Sequence, residues 1–390
     1  MQFRAVTLNV WGLPFGLARE TPGRMRAIGN HFQALEADLI ALQEVWTADS
    51  REILLDAAHE AGFPQTWHRP QKFGGSGLFL ASRWPLESVI FTPFVAAGLP
   101  QRIHHADFWG GKGFVQARVQ TPAGPIRCVA THLHASYVEP GAADEYVDVR
   151  IAQVTQMARA LDGLEEPLIL MGDLNLREDE PEYTVLRGLT GLDDVADLTS
   201  TRSLTLPAGG PYRDGSESAQ RIDYVMLRSG THQKITADRL RLVFDAPPPE
   251  VSDPSGYSDH VGLLAELTLE ANPSAARAAP SIDDTTLREA REHLHRGRDL
   301  GRKRQGREWR AALGLGLIAL GCAAGAVVSP NPWLKIGSGL LSALFAVLSV
   351  GFAALCSWGG RHEAHGYHCA ENDLDALQTM RPQRDTFRAP

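Results

Sequence analysis

Six places in the chain hold residue types suited to phosphate chemistry: Asn9, Glu44, His132, Asp173 with Asn175, Asp223, and Asp259 with His260. Carboxylates and amides with only two histidines form a hard donor set. That set suits Mg²⁺, with Mn²⁺ as the alternative, better than zinc, which favours closely spaced Cys and His. A cation on a carboxylate, a histidine beside an acid, and amide donors can together hydrolyse a phosphodiester. The cation neutralises phosphate oxygens and the leaving alkoxide, the histidine–carboxylate pair takes a proton from water, and the donors stabilise the developing charge. Histidine suits the base because its ordinary pKa lies close to neutrality. Taken singly, each residue serves equally well as a cap or a turn. Gly172-Asp-Leu-Asn175 in particular is common turn chemistry.

The elements around these residues give them a common place. Residues 3–10 alternate as a sheet strand and carry Asn9 to its end; residues 38–42 form a second strand that delivers Glu44. Residues 113–119 and 126–134 pair as a hairpin, and period-two geometry puts His132 and His134 on one face. The apolar run 168–171 reads as a buried strand, after which Gly172 turns the chain so that Asp173 and Asn175 emerge together. Residues 78–81, 221–227, 239–244 and 261–269 are further strands. Helical spacing predicts helices over 21–35, with Thr21 as N-cap before Pro22, and over 51–61, 147–161 and 183–189. Residues 198–215 read as a long irregular segment.

The formal net charge of −8 is divided unevenly. Residues 1–272 hold 23 basic against 35 acidic side chains, −12, and residues 273–390 hold 15 against 11, +4. An acidic body disfavours a grip on nucleic acid, which draws its affinity from Lys and Arg on phosphates. The cysteines, Cys128, Cys322, Cys356 and Cys369, have no short spacing that would indicate a zinc knuckle or a disulfide framework. The first residues enter a strand pattern without an apolar leader, so the catalytic part is expected on the cytoplasmic side.

Residues 271–280 are rich in Ala, Pro and Ser and read as a linker. Residues 283–310 are highly charged and end in a cluster of arginines. Residues 311–328 then carry no charge, Pro330 and Pro332 interrupt, and a second apolar run covers 336–358. Each run is long enough to cross, or nearly cross, a hydrocarbon layer of about 30 Å. The basic block favours a cytoplasmic flank and could also attract anionic lipid.

The order of motifs resembles the endonuclease/exonuclease/phosphatase superfamily across residues 1–270: LNVWGLP at Leu8, LQEVW at Leu42, GSGLFLASRWP at Gly75, THLHA at Thr131, MGDLN at Met171, RIDYVML at Arg221 and YSDHVGL at Tyr257. The resemblance implies an α/β fold, a four-layer α/β sandwich with two central mixed sheets, to which the sequence adds a C-terminal hairpin of two transmembrane helices. It implies Glu44 as metal carboxylate with Asn9 and Asp259 beside it, His260 as general base, Asp223 as its orienting partner, Asp173 and Asn175 at the attacking water and phosphate, and His132 on the phosphate or leaving oxygen. His134 is expected to support His132.

Trp11, Glu44-Val-Trp46, THLHA with Tyr137, and the segment around Asp107-Phe-Trp-Gly-Gly-Lys112 resemble the neutral sphingomyelinase branch. That resemblance implies cleavage of sphingomyelin to ceramide and phosphocholine, with inositol phosphosphingolipids or lysophospholipids as the alternative substrates. Trp11, Trp46, Phe108, Trp109 and Tyr137 are candidates to cover a choline by cation–π contact, and Lys112 to touch lipid phosphate. The expected organisation is a phosphodiesterase domain (1–272), a linker and basic juxtamembrane segment (273–310), a membrane hairpin (311–358) and a polar tail (359–390). Both termini would lie in the cytoplasm; the expected partner is a membrane sphingolipid, with no nucleic acid, and no protein partner is inferable.

Overall fold

A computed structural model describes residues 1–69, 75–102, 105, 107–210, 212–213, 217–246, 256–271 and 282–386, without the side chains of 380–386. The elements run β1 (Gln2–Asn9), α1 (Thr21–His31), β2 (Leu39–Gln43), α2 (Ala48–Glu60), β3 (Gln65–His68), β4 (Phe79–Ser82), β5 (Leu86–Pro93) and α3 (Asp107–Gly110). They continue with β6 (Gly113–Thr121), β7 (Gly124–His132), α4 (Val147–Leu161), β8 (Leu168–Asp173), α5 (Pro181–Thr190), β9 (Asp193–Asp194), α6 (Val195–Leu198), β10 (Asp223–Arg228), β11 (Gln233–Val243), β12 (Gly262–Ala271), α7 (Asp284–Val328) and α8 (Pro332–Thr386). The predicted linker lies, from residue 272, outside the described residues.

Two six-stranded sheets, ordered β11-β12-β1-β2-β4-β3 and β5-β6-β7-β8-β10-β9, face each other. Both are mixed: β1–β2 and β7–β8 are parallel, and their other neighbours antiparallel. Strand alternation builds the layers. Phe3 and Ala5 of β1 meet Cys128 and Ala130 of β7 and Ile169 and Met171 of β8 between the sheets. Val6 and Leu8 turn outward onto Met25 and Ile28 of α1 and Leu54 and Ala58 of α2. On the other side, Leu168 and Leu170 pack against α4 and α5. The result is the expected four-layer sandwich.

Several local readings change. Residues 21–35 divide into α1 and a separate 3₁₀ turn at Gln33–Leu35, and the cap position is Glu20, held left-handed at φ 51°, rather than Thr21. Thr21 donates instead to the Ala18 carbonyl. Helix α2 starts earlier than expected because the Thr47 hydroxyl accepts from Ser50 N. β7 stops at His132, so His134 lies beyond the strand.

The two C-terminal helices are continuous through the boundaries between charged and apolar sequence. Their polar halves dock on the domain: Leu287, Ala290 and Leu294 of α7 and Tyr367, Ala370, Leu374 and Leu377 of α8 join the core over α4 and α5. Their apolar halves are almost wholly uncovered, with Leu317, Leu320, Val328, Leu340 and Val347 each more than two-thirds exposed. Both helices are long and apolar enough to cross a membrane, and small residues let them approach closely. Ser342 and Ser349 of α8 donate to the Ala319 and Ala312 carbonyls of α7.

Candidate active site

Strand register brings the site together. Parallel pairing of β1 with β2 sets Asn9 opposite Gln43, so Glu44 follows directly beside Asn9. β8 sits between β7 and β10, and in one register position Asp173 has His132 on one side and Asp223 on the other. That close meeting depends on Gly172. A Cβ there would lie 2.0 Å from the Thr131 carbonyl oxygen, so the glycine permits strand contact rather than the predicted turn, and β8 runs on through Asp173.

The Asn9 amide nitrogen donates to Glu44 Oε1 (3.0 Å) and to Asp173 Oδ2 (2.9 Å), while its oxygen accepts from Trp11 N. Asn9 thus joins two carboxylates from opposite sheets. His260 Nδ1 lies 2.9 Å from Asp223 Oδ2, and its Nε2 is 3.9 Å from Asp173 Oδ2. Ser258 donates to the Asn9 carbonyl and accepts from His260 N, which fixes the His260 turn to β1. Asn175 donates to the Leu133 carbonyl, and its backbone N–H to Asp173 Oδ1. Glu44 and Asn175 are both held left-handed, at φ 62° and 49°. For non-glycine residues such backbone costs about 1–3 kcal/mol and collects at functional sites.

Electrostatics follow from packing four acids against few cations. Burial, then the nearby Asp259, raises the Glu44 pKa; burial also raises Asp259. Asp173 is pushed up to about 7 by burial and by Asp223. Burial opposes a charge on His260, but Asp223, Asp259 and Asp173 outweigh it and hold its pKa well above the ordinary value. His132 goes the other way, lowered by burial and by the Lys112 ammonium.

Two features suit a cation. Glu44 Oε2 is buried and has no hydrogen-bond partner among the described residues, and Asp173, Asp223 and His260 each bring a ligand atom within 4.8 Å of one another.

Lys112 is buried and committed: its ammonium pairs with Asp107, donates to the Leu133 carbonyl (2.8 Å) and lies 2.9 Å from His132 Nε2. Tyr137 also donates to Asp107, and His134 Nδ1 is 3.7 Å from it. His134 stacks on Tyr146 at 4.0 Å, and Asp107 and Lys112 link it to His132. Trp46 lies against Gly77 and Gly110, where any Cβ would touch its ring at about 3 Å. Trp109 and Tyr137 are exposed at the rim. Trp109 and Phe108 meet Trp358 at the base of the apolar part of α8, with ring centroids 5.8 and 5.4 Å apart. The Arg24 guanidinium lies 5.0 Å from the Trp11 ring, and Tyr212 packs beside that ring.

Sequence reasoning missed Asp107, Thr205 and Ser258. The spacing of Asp107 from Lys112 in an aromatic segment could have flagged the first. Thr205, whose hydroxyl accepts from the Ile222 and Asp223 backbone, sits in an irregular stretch that gives no signal.

Comparison with known proteins adds the family. The model of the Endonuclease/Exonuclease/phosphatase family matches residues 6–260. A Drosophila melanogaster protein that carries a provisional neutral sphingomyelinase name is 30% identical over 69% of this chain, and the match spans 61% of that protein's length. Rat sphingomyelin phosphodiesterase 2 is 26% identical over 83% of this chain and 80% of its own. Inositol phosphosphingolipids phospholipase C of Schizosaccharomyces pombe is 26% identical over 75% of this chain and 77% of its own. Among solved structures, a zebrafish TDP2 with single-strand DNA product (TM-score 0.54, 17% identity, covering 68% of this chain and 99% of that one) shares the fold. So does a Staphylococcus aureus beta toxin with bound magnesium ions (0.53, 15%, 68% and 99%). With the family model spanning the whole polar constellation from β1 to His260, the chain belongs to the Endonuclease/Exonuclease/phosphatase family.

Proposed function

We propose that this chain is a divalent-cation-dependent neutral sphingomyelinase that hydrolyses sphingomyelin to ceramide and phosphocholine at a membrane surface. The observation that carries the reaction class is the His260–Asp223 pair aimed at Asp173 beneath Asn9. The relatives supply the substrate class.

In this reading His260 Nε2 takes a proton from the attacking water. Asp223 holds the ring through Nδ1 and stabilises the imidazolium that forms. Asn9 and Asn175 keep Asp173 fixed at the water and phosphate, and His132, held by Lys112, faces the phosphate or leaving oxygen. Glu44 and Asp259 fit a cation, because a buried carboxylate oxygen without a partner and a second acid beside it are stabilised by positive charge. Magnesium, or manganese in its place, would there neutralise phosphate oxygens and the departing alkoxide. Trp46, Trp109 and Tyr137 form the head-group side of the mouth. Lys112 and His134 act there through His132 and Asp107. The hairpin at 311–358 crosses the membrane twice, with the domain, the juxtamembrane segment 273–310 and the tail 359–390 on the cytoplasmic side. The exposed arginines before it lie level with anionic head groups.

A second reading keeps the chemistry and changes the head group to inositol phosphate; the fission yeast relative favours it. The test is hydrolysis by the full chain in mixed micelles of sphingomyelin, inositol phosphosphingolipid, phosphatidylcholine and lysophosphatidylcholine, with abasic DNA alongside. Release of phosphocholine from sphingomyelin, abolished by EDTA, is the expected result. Release of inositol phosphate alone selects the second reading, and cleavage of DNA alone overturns both.

A further inference from the structure

We infer that the loop between β1 and α1, carrying Phe15 and Leu17, is a second membrane contact that inserts into the bilayer on the rim of the site away from the hairpin. The inference rests on the proposed lipid substrate. Phe15 is 86% exposed and Leu17 66%, a poor arrangement for a water-facing loop unless the side chains have another medium to enter.

The loop is also stiff. Phe15 and Gly16 both take left-handed backbone, at φ 61° and 74°, and Leu17 N closes a turn on the Pro14 carbonyl. The buried Arg24 donates to the carbonyls of Val10 and Trp11 at one end and of Arg19 at the other. Apolar tips on a rigid support lose little conformational entropy when they insert.

Its position ties it to the catalytic mouth and to the hairpin. It leaves directly from Asn9, and Gly12 packs on the Glu44 carbonyl. Phe15 and Leu13 share a cleft with Thr47 and Ile53. Trp46, next to Thr47, lies against Gly110, and the adjoining Trp109 meets Trp358 of α8. One rim therefore runs from the base of the membrane helix, past the mouth, to Phe15. Exposed apolar residues near the mouth include Trp109 of α3, Tyr137, whose hydroxyl meets Asp107, and Leu204, next to Thr205. The occupant that continuity selects is the bilayer already holding the hairpin.

The test uses the full chain in phospholipid–sphingomyelin nanodiscs, with benzoylphenylalanine replacing Phe15 or, as control, the exposed Ile90 on β5. Illumination is expected to add lipid mass at position 15 and none at 90. Equal yields at both positions, no lipid adduct at 15, or a cross-link to a second protein chain would overturn the inference. Independently, the Phe15→Ser/Leu17→Ser variant should lose about tenfold or more in turnover of bilayer sphingomyelin, as expected for two apolar side chains no longer inserted. Hydrolysis of a soluble short-chain substrate should stay unchanged. An equal loss on both substrates would assign the loop to the chemistry instead. Since cross-linking needs no turnover, a chain that cleaves no sphingolipid would sink the functional reading and still report on the loop.

Discussion

At the scale of single residues, the site is a balance of acids around one imidazole. His260 can serve as base only when neutral, and its neighbouring carboxylates hold its proton on. Sphingomyelin turnover should therefore rise with pH through a midpoint above the ordinary histidine value. Asp223→Asn should move that limb to lower pH while lowering the plateau, and a limb that stays in place would remove Asp223 from its orienting role. His260→Ala should cost about 10²–10⁴-fold, the usual worth of a positioned base. Glu44→Gln should abolish the rise in melting temperature that Mg²⁺ gives the intact chain, a readout independent of turnover. His134 gives a different pH effect. Burial lowers its pKa to about 4 from 6.5, so the unfolded chain takes up the proton first and stability falls as pH drops from 6.5 to 4, then levels. The integrated loss is about 3 kcal/mol. Melting temperatures in detergent at pH 7 and 5 should show it, and His134→Gln should flatten the slope.

At the scale of elements, the donor residues were legible because chemistry leaves short, ordered signals at strand ends. Asn9, Glu44, Asp173 and His260 could be placed by alternation and punctuation alone. What sequence could not supply was register. Nothing in the residues around Gly172 says that the strand continues past it, because a glycine is written the same way for a turn and for a close approach of backbones. Nor does the alternation through His134 show that pairing ends at His132. Strands β3 and β5 were missed, being short or half-exposed and without clean alternation. Gly172→Ala tests the register directly. A methyl group 2.0 Å from the Thr131 oxygen forces β7 and β8 apart, so the variant should be destabilised by more than about 2 kcal/mol and lose activity with it. A stable, active variant would show that the strands can separate there at little cost.

At the scale of the molecule, charge and hydropathy located the two apolar helix segments but not their attachment. The charged residues 283–310 read as a basic juxtamembrane segment, yet 284–310 fall in α7, whose Leu287 and Leu294 are core residues. Removing 311–390 would take away both candidate membrane spans and also Tyr367, Leu374 and Leu377 from that core. The truncated chain should therefore leave membranes and melt lower than the full chain in detergent. A truncation that melts at the same temperature would mean that the polar half of α8 contributes nothing to the domain.

The docked neck alters how such a protein would meet its substrate. A domain on a flexible leash samples a hemisphere, and its effective concentration at the surface falls as the leash lengthens. With the apolar halves of α7 and α8 in a bilayer, the same two helices would run into the fold without a joint, so the mouth would be held at one height and one tilt. Search would then be confined to sliding in the plane: the lipid diffuses to a fixed aperture, and the rate is governed by lateral encounter and surface composition rather than by the bulk amount of lipid.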